Sequence, residues 1–526
     1  MKRFFFALLL TALTAAGCSD RDADARHAAQ VDALLQQLSV REKVAQLIIL
    51  EISREPDDST RTLQDSLIRD CGVGNLIIMR GPIGPFVERM NELQSLAKLP
   101  LLVATDAEWG AAMRFAEYLP YPRQRILGRL EGPQAKRLIY KMGRNVGREL
   151  RDLNIYVNYA PVADACPDPY DKSDGQRSFG GDPALVADYT AAYMHGMQDE
   201  GIYACAKHYP GHGATTVDSH YEMPVVLYDR ARLDSVELVP FKRLFDEGIA
   251  MVMICHMSIP AIDSTGVPMS ISAPCIKGLI REEQGFQGTV ITDAVGMQGV
   301  AAGRTPLEVN LAVYRAGADM ILMPDEIAPT IDAIADSVAC GIWPQEELDA
   351  KVRKVLMMKA RAGFFDEGFD PQVQDLDRKI AEARHRDSTL QLRIARALHR
   401  STHPDITPIG TDRTLLLDKA EQQPARNQEP ARHYPPLWLF AANPTFGRDT
   451  NPCHGPFPPR PPSPPNFGLA KKRTCGHGGG HGSGHGSSPK PWRRRGGTGL
   501  PGRSRGGRSR GSRGGRRPCP CRGASA

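Results

Sequence analysis

Eight short runs rich in Ile, Val and Leu recur between positions 46 and 324, and they constrain the fold of this 526-residue chain more than any other feature. They are QLIILE (46–51), NLIIM (75–79), LLVATDAE (101–108), YVNYAPVAD (156–164), ACAKHYPG (204–211), AMVMICHM (250–257), TVITDAVG (289–296) and DMILMP (319–324). Their apolar residues are continuous rather than alternating. That is the pattern of strands covered on both faces, as in parallel sheets. Helical patterns lie between them: AKRLIYKMGRNVGRELRDL precedes the fourth run, ALVADYTAAYMHGMQDEG the fifth and SVELVPFKRLFDEG the sixth. Eight strand-and-helix units predict an α/β chain folded as a (β/α)8 TIM-type barrel.

Barrels of this kind carry their chemistry on the loops that follow the strands. The polar groups there are Asp106 and Glu108 after the third run, Asn158 and Asp164 after the fourth, Lys207 and His208 after the fifth, His256 after the sixth, Asp293 after the seventh and Asp325 after the eighth. Each alone is equally a cap or a salt-bridge partner. Together they converge on one rim.

The densest polar stretch is KHYPGHGATTVDSH, residues 207–220. A metal site through His208, His212 and His220 is one reading, but no HExxH sits on a helix and the glycines make the segment a loop. A phosphate cradle lacks the GxxxxGK[ST] order. The Pro-Gly-His-Gly piece reads as a tight turn with His212 as a capping residue. Asp218-Ser219-His220 is either a surface pair or a proton-transfer device, in which the aspartate holds one ring nitrogen and the other gives and takes a proton. In ITDAVGM, Asp293 closes an apolar strand, where a carboxylate serves as nucleophile, base or ligand. A nucleophile and a proton donor are the minimum for glycoside hydrolysis with retention, which usually employs two carboxylates.

The ends of the chain differ from its body. Lys2 and Arg3 precede an apolar run over residues 4–16, too short to span a bilayer, and AAGC then leads to Cys18. This is a secretory signal in which AAGC resembles a bacterial lipobox, with Cys18 as the lipidated residue and the membrane as partner; an ordinary signal with a chance cysteine is the alternative. Of eleven cysteines, four lie in the C-terminal tail, and Cys71, Cys166, Cys205, Cys255, Cys275 and Cys340 have no ligand-like spacing, so buried thiols are expected. From residue 450 onward there are sixteen Lys and Arg and no Asp or Glu, leaving 50 basic against 60 acidic groups before it, a net of −10. The overall charge of +6 therefore gives no case for a nucleic-acid partner. The tail (404–526), with PFPPRPPSPPNFG, HGGGHGSGHG and GRSRGGRSRGSRGGRR, is low-complexity sequence expected to be disordered. Its lack of acidic residues also suggests out-of-frame coding sequence. The expected plan is a signal and lipobox (1–18), a polar spacer (19–28), the barrel (29–366), a helical extension (367–403) and the tail.

Seven motifs, TDAEWG (105–110), NYAPVAD (158–164), QRSF (176–179), KHYPGHG (207–213), DSH (218–220), VMICHMSIP (252–260) and ITDAVGMQGV (291–300), occur in order. Together they resemble glycoside hydrolase family 3, in its β-N-acetylglucosaminidase branch, over residues 31–365. The resemblance implies a retaining exo-enzyme removing terminal GlcNAc from peptidoglycan fragments or chitooligosaccharides, with no cofactor and no metal. It implies Asp293 as nucleophile, His220 as acid/base on a mobile loop, and Asp218 as its orienting partner. Asp106, Arg177, Lys207 and His208 match the residues that hold the sugar. TDAEWG departs from the common DQEGG form, and nothing after about residue 400 resembles the second domain of exported relatives. A glycoside phosphorylase and a non-catalytic cell-wall-binding lipoprotein are the alternatives.

Overall fold

Apolar runs of this kind become strands when both of their faces are covered, in a barrel by helices outside and by the side chains of the other strands inside. The computed structural model describes residues 20–52, 56–171, 174–213, 223–301 and 303–402. All of these lie within one unit, Met1–Pro444. Eight parallel strands form: β1 (Ile48–Ile52), β2 (Asn75–Ile78), β3 (Leu102–Thr105), β4 (Val157–Asn158), β5 (Tyr203–Tyr209), β6 (Met251–Ile254), β7 (Thr289–Thr292) and β8 (Ile321–Leu322). Their order is β7-β6-β5-β4-β3-β2-β1-β8. A bridge between Ile291 and Met320 brings the outer edges together, so the sheet is a nearly closed barrel. Every residue of β2, β3, β6 and β7 is buried.

All eight apolar runs contain a strand. The fourth shrinks to two residues because the chain leaves the ladder after Asn158. It stays beside β5 through the bridge between Val162 and Lys207.

The outer helices follow their apolar stripes. In the helix Gln134–Asp152 the buried residues Leu138, Ile139, Met142, Val146 and Leu150 recur every three or four positions. The helix Pro306–Ala316 opens with a capping box between Thr305 and Glu308 and ends on Gly317 at φ 110°. Residues 20–28 belong to the helix Asp20–Gln37, and Asp24 pairs with Arg361 at 2.9 Å. Beyond the barrel, the helix Leu376–Thr402 runs antiparallel along Gln134–Asp152: Lys379 bonds Asp152 O, Asp387 meets Asn145, and Ser401 meets Glu131 N. Cys71, Cys166, Cys205, Cys255 and Cys275 are buried free thiols, and Cys340 is exposed.

Candidate active site

β3 ends at Thr105, and the next residues turn inward across the barrel mouth. Asn158, at the end of β4, clamps that turn. Its side-chain oxygen accepts the Ala107 N–H at 2.9 Å and its amide donates to Ala107 O at 3.3 Å. Asp106 and Glu108 are thereby aimed at Lys207 on β5, whose Nζ lies 2.6 Å from Asp106 Oδ1 and 2.8 Å from Glu108 Oε1. Arg114 pairs with Asp106 from the other side. Arg177 meets Glu108 Oε1 at 2.7 Å and Asp174 Oδ1 at 3.2 Å. Opposite charges thus alternate through a buried network, which removes the penalty of leaving any one alone. Burial raises the carboxyl pKa values, but Lys207, Arg114 and Arg177 outweigh it for Asp106, which falls far below the usual range. For Glu108, Arg177 and Lys207 overcome burial and bring it to about 2. Burial opposes the Lys207 charge, yet Asp106 and Glu108 raise its pKa.

Lys207 and His208 are consecutive, and an uninterrupted strand would send them to opposite faces. The ladder to β6 loses register between Ala206 and Tyr209, and both side chains reach one cavity. His208 Nδ1 lies 2.7 Å from Asp164 Oδ2 and its Nε2 3.4 Å from Arg177 Nη2. His212, read from sequence as a cap in a turn, is instead a buried member of this network. Its backbone N–H donates to Asp164 Oδ1 at 2.7 Å and its Nδ1 lies 3.1 Å from Asp174 Oδ2. Burial works against its positive charge, but the Asp174 carboxylate prevails and raises its pKa. The turn is present, with Gly211 N donating to His208 O; the partners of His212 are distant in sequence and left no local signal.

Asp293 follows β7. Its N–H donates to Ile254 O at 2.9 Å, and its Oδ1 accepts the Ala294 N–H at 2.8 Å. Burial pushes its pKa up, while His208, His256, the Ala294 N–H and Lys207 outweigh it, so the carboxyl is held below its ordinary value and is ionised at neutral pH. His256 sits behind it, with Nε2 donating to Ala294 O at 3.0 Å and Nδ1 2.7 Å from Ser270 Oγ. Asp106, Glu108, Arg177, Lys207, His208 and Asp293 line a single cavity of about 1100 Å³, with Asp325 also on its wall. The cavity holds three ionised carboxylates, Asp106, Glu108 and Asp293, among several fixed donors and acceptors, with apolar residues such as Leu50, Leu67 and Ile77 on other parts of its wall, an arrangement suited to a ring bearing hydroxyls.

Asp164, Asp174 and His208 offer ligand atoms within 4.8 Å of one another, the one such group among the described residues. Asp164 Oδ1 and Oδ2 already accept hydrogen bonds from His212 N and His208 N, so the protein itself engages both oxygens of Asp164. Asp174 and Arg114 were not identified from sequence, since neither ends a strand. Asp218 and His220 lie outside the described residues, as do Cys18 and the tail, 404–526.

The family model "Glycosyl hydrolase family 3 N terminal domain" matches residues 39–358. A beta-hexosaminidase of Nitrosospira multiformis is 33% identical over 260 residues, covering 48% of this chain and 73% of that protein. Beta-hexosaminidase A of Pseudoalteromonas piscicida is 29% identical over 290 residues, 51% of this chain, and the chain spans about half of it, 48%. A family 3 β-N-acetylglucosaminidase structure from Paenibacillus sp. str. FPU-7 superposes with a TM-score of 0.59 at 30% identity, covering 68% of this chain and 69% of that one.

Proposed function

The chain belongs to glycosyl hydrolase family 3, in its β-hexosaminidase branch, and from that premise we propose that it is a retaining exo-β-N-acetylglucosaminidase acting on peptidoglycan fragments or chitooligosaccharides. The observation that carries this reading is Asp293, ionised at the end of β7 in the cavity it shares with Lys207, Asp106 and Glu108. A nucleophile must be deprotonated at working pH, and the Lys207 ammonium, the Ala294 N–H and the neighbouring His208 and His256 hold the Asp293 carboxyl below its ordinary value. The terminal GlcNAc would lie with its hydroxyls on Asp106, Lys207, Arg177 and His208. Asp293 attacks the anomeric carbon as the bond to the leaving oxygen breaks, and His220, oriented by Asp218, gives that oxygen its proton. Water then attacks the glycosyl–Asp293 ester, His220 takes the water's proton, and Asp293 is released as carboxylate.

The N-terminal signal places this activity on the outer side of a membrane, with lipid on Cys18 as anchor. Among the described residues no helix is long and apolar enough to cross a membrane. Intact mass of the native protein reports the lipid and the true C-terminus together; an unmodified Cys18 refutes the anchor.

A chromogenic GlcNAc β-glycoside tests the activity. Turnover should be rapid in wild type and about a thousandfold or more lower in Asp293→Ala. Wild-type turnover in that variant refutes the mechanism. Sugar 1-phosphate formed in phosphate buffer identifies a phosphorylase instead, and binding without turnover a cell-wall-binding protein.

A further inference from the structure

The loop that carries Asp106 and Glu108 ends in a short 3-10 turn, Ala111–Met113, which starts after Gly110 at φ 95°. Glu149, fully buried in the helix Gln134–Asp152, reaches under this turn, and its Oε2 accepts the Ala111 N–H at 2.7 Å. The approach is close: a Cβ at position 110 would lie 3.2 Å from Glu149 Oε2. Behind Glu149 stands Asp387, also fully buried, from the helix Leu376–Thr402. Asp387 Oδ1 accepts the Tyr121 hydroxyl at 2.8 Å and the Asn145 amide at 3.1 Å.

Two carboxyl oxygens of this pair, Glu149 Oε1 and Asp387 Oδ2, have no N–H or O–H donor. Glu149 lies one helical turn beyond Asn145, which binds Asp387, so the two carboxyl groups are neighbours. Buried carboxylates in contact cannot both ionise, and a single proton between them satisfies both oxygens. Burial, with the Asp387 charge beside it, holds the Glu149 carboxyl well above the usual carboxylate range. The other titratable groups facing the pair are Tyr118 and Tyr121 from the loop, Asp152 on the same helix as Glu149, Tyr193 from the helix Pro183–Gln198, and Arg386 beside Asp387. Arg386 answers the one negative charge that remains.

We propose that Glu149, backed by Asp387, positions the loop 106–111, so that the helix following the barrel supports the sugar-holding carboxylates. This helix lies beyond the family-matched stretch, which ends at residue 358. The inference rests on the reading of Asp106 as a sugar ligand. Glu149 and Asp387 act only through the loop and are positioning residues.

The test compares E149A with E149Q in the full-length protein. E149A strands the Ala111 N–H and frees the loop, so KM for the GlcNAc glycoside should rise about tenfold or more, with kcat changed much less. E149Q replaces the shared proton with an amide N–H and keeps the acceptor for Ala111, and it should recover KM to within about threefold of wild type. Wild-type KM should also climb at alkaline pH as the shared proton leaves, while the E149Q profile stays flat. Amide hydrogen exchange over residues 106–113 reads the loop without turnover: fast in E149A, slow in wild type and E149Q. Unchanged KM and exchange in E149A, or E149Q as impaired as E149A, would overturn the proposal. A wild type inactive on GlcNAc glycosides sinks the enzymatic reading, and hydrogen exchange still decides this one.

Discussion

Lys207 serves two carboxylates with one ammonium, and its side chain is only 3% exposed. Lys207→Met would leave Asp106 facing Glu108 with that ammonium gone and only Arg114 and Arg177 to answer them, a loss of up to about 3–5 kcal/mol, the range for removing one partner of a buried ion pair. The expected outcome is a fall of two or more orders of magnitude in kcat/KM, roughly 1.4 kcal/mol per tenfold, carried mainly by KM. Steady-state kinetics, with circular dichroism to check the fold, measures it. Glu108 makes a second, pH-dependent prediction. Its folded pKa, about 2, lies below the ordinary 4.5. The unfolded chain therefore binds its proton first as pH falls, so the stabilisation is fully present above about 4.5 and is lost on the way down to about 2. In urea titrations, wild type should lose stability over that window more steeply than Glu108→Gln; parallel curves would contradict the assignment. Asp106, Lys207, His208 and Asp293 were legible in sequence because each ends an apolar run. Arg177 came from the motif QRSF. Asp174 and Arg114 were not, because neither ends an apolar run.

Among the elements, the strands were legible and their lengths were not. Continuous apolar runs reveal a strand buried on both faces, but β4 and β8 are each only two residues long, since the ladder stops where the chain turns into the mouth. The capping box at Thr305 and Glu308 could be read locally. The docking of the helix Leu376–Thr402 could not, because Asp387 meets partners more than 230 residues away. The helix Gln345–Arg361 shows what burial does to a lysine without a carboxylate. Lys359 Nζ lies 2.7 Å from Gln46 Oε1 and 2.9 Å from Gly74 O, and burial pushes its pKa down to about 7. Between about 7 and the ordinary 10.5 the unfolded chain binds more protons at this position, so stability contributed there rises with pH. The wild-type stability minus that of Lys359→Met should therefore grow from pH 7 to pH 10 in urea titrations. A difference that stays constant would place the charge in solvent.

At the scale of the whole molecule, the barrel brings groups from β3, β5, β7 and the loop after β4 into one cavity, though they are separated by up to 187 residues in sequence (Asp106 to Asp293). No short motif dictates such convergence; eight successive strand-and-helix units do, because they place every strand end on the same rim. Legibility therefore came from the repeat, while the salt-bridge network inside the mouth came only with coordinates. The central claim is that Asp293 forms the covalent glycosyl bond. The most direct measurement is peptide mass spectrometry after reaction with a fluorinated GlcNAc donor whose second step is slow. The account predicts one sugar residue attached to the peptide containing Asp293, at the Asp293 side chain, and no adduct in Asp293→Ala. An adduct on another residue, or a product of inverted anomeric configuration with no adduct, would contradict it.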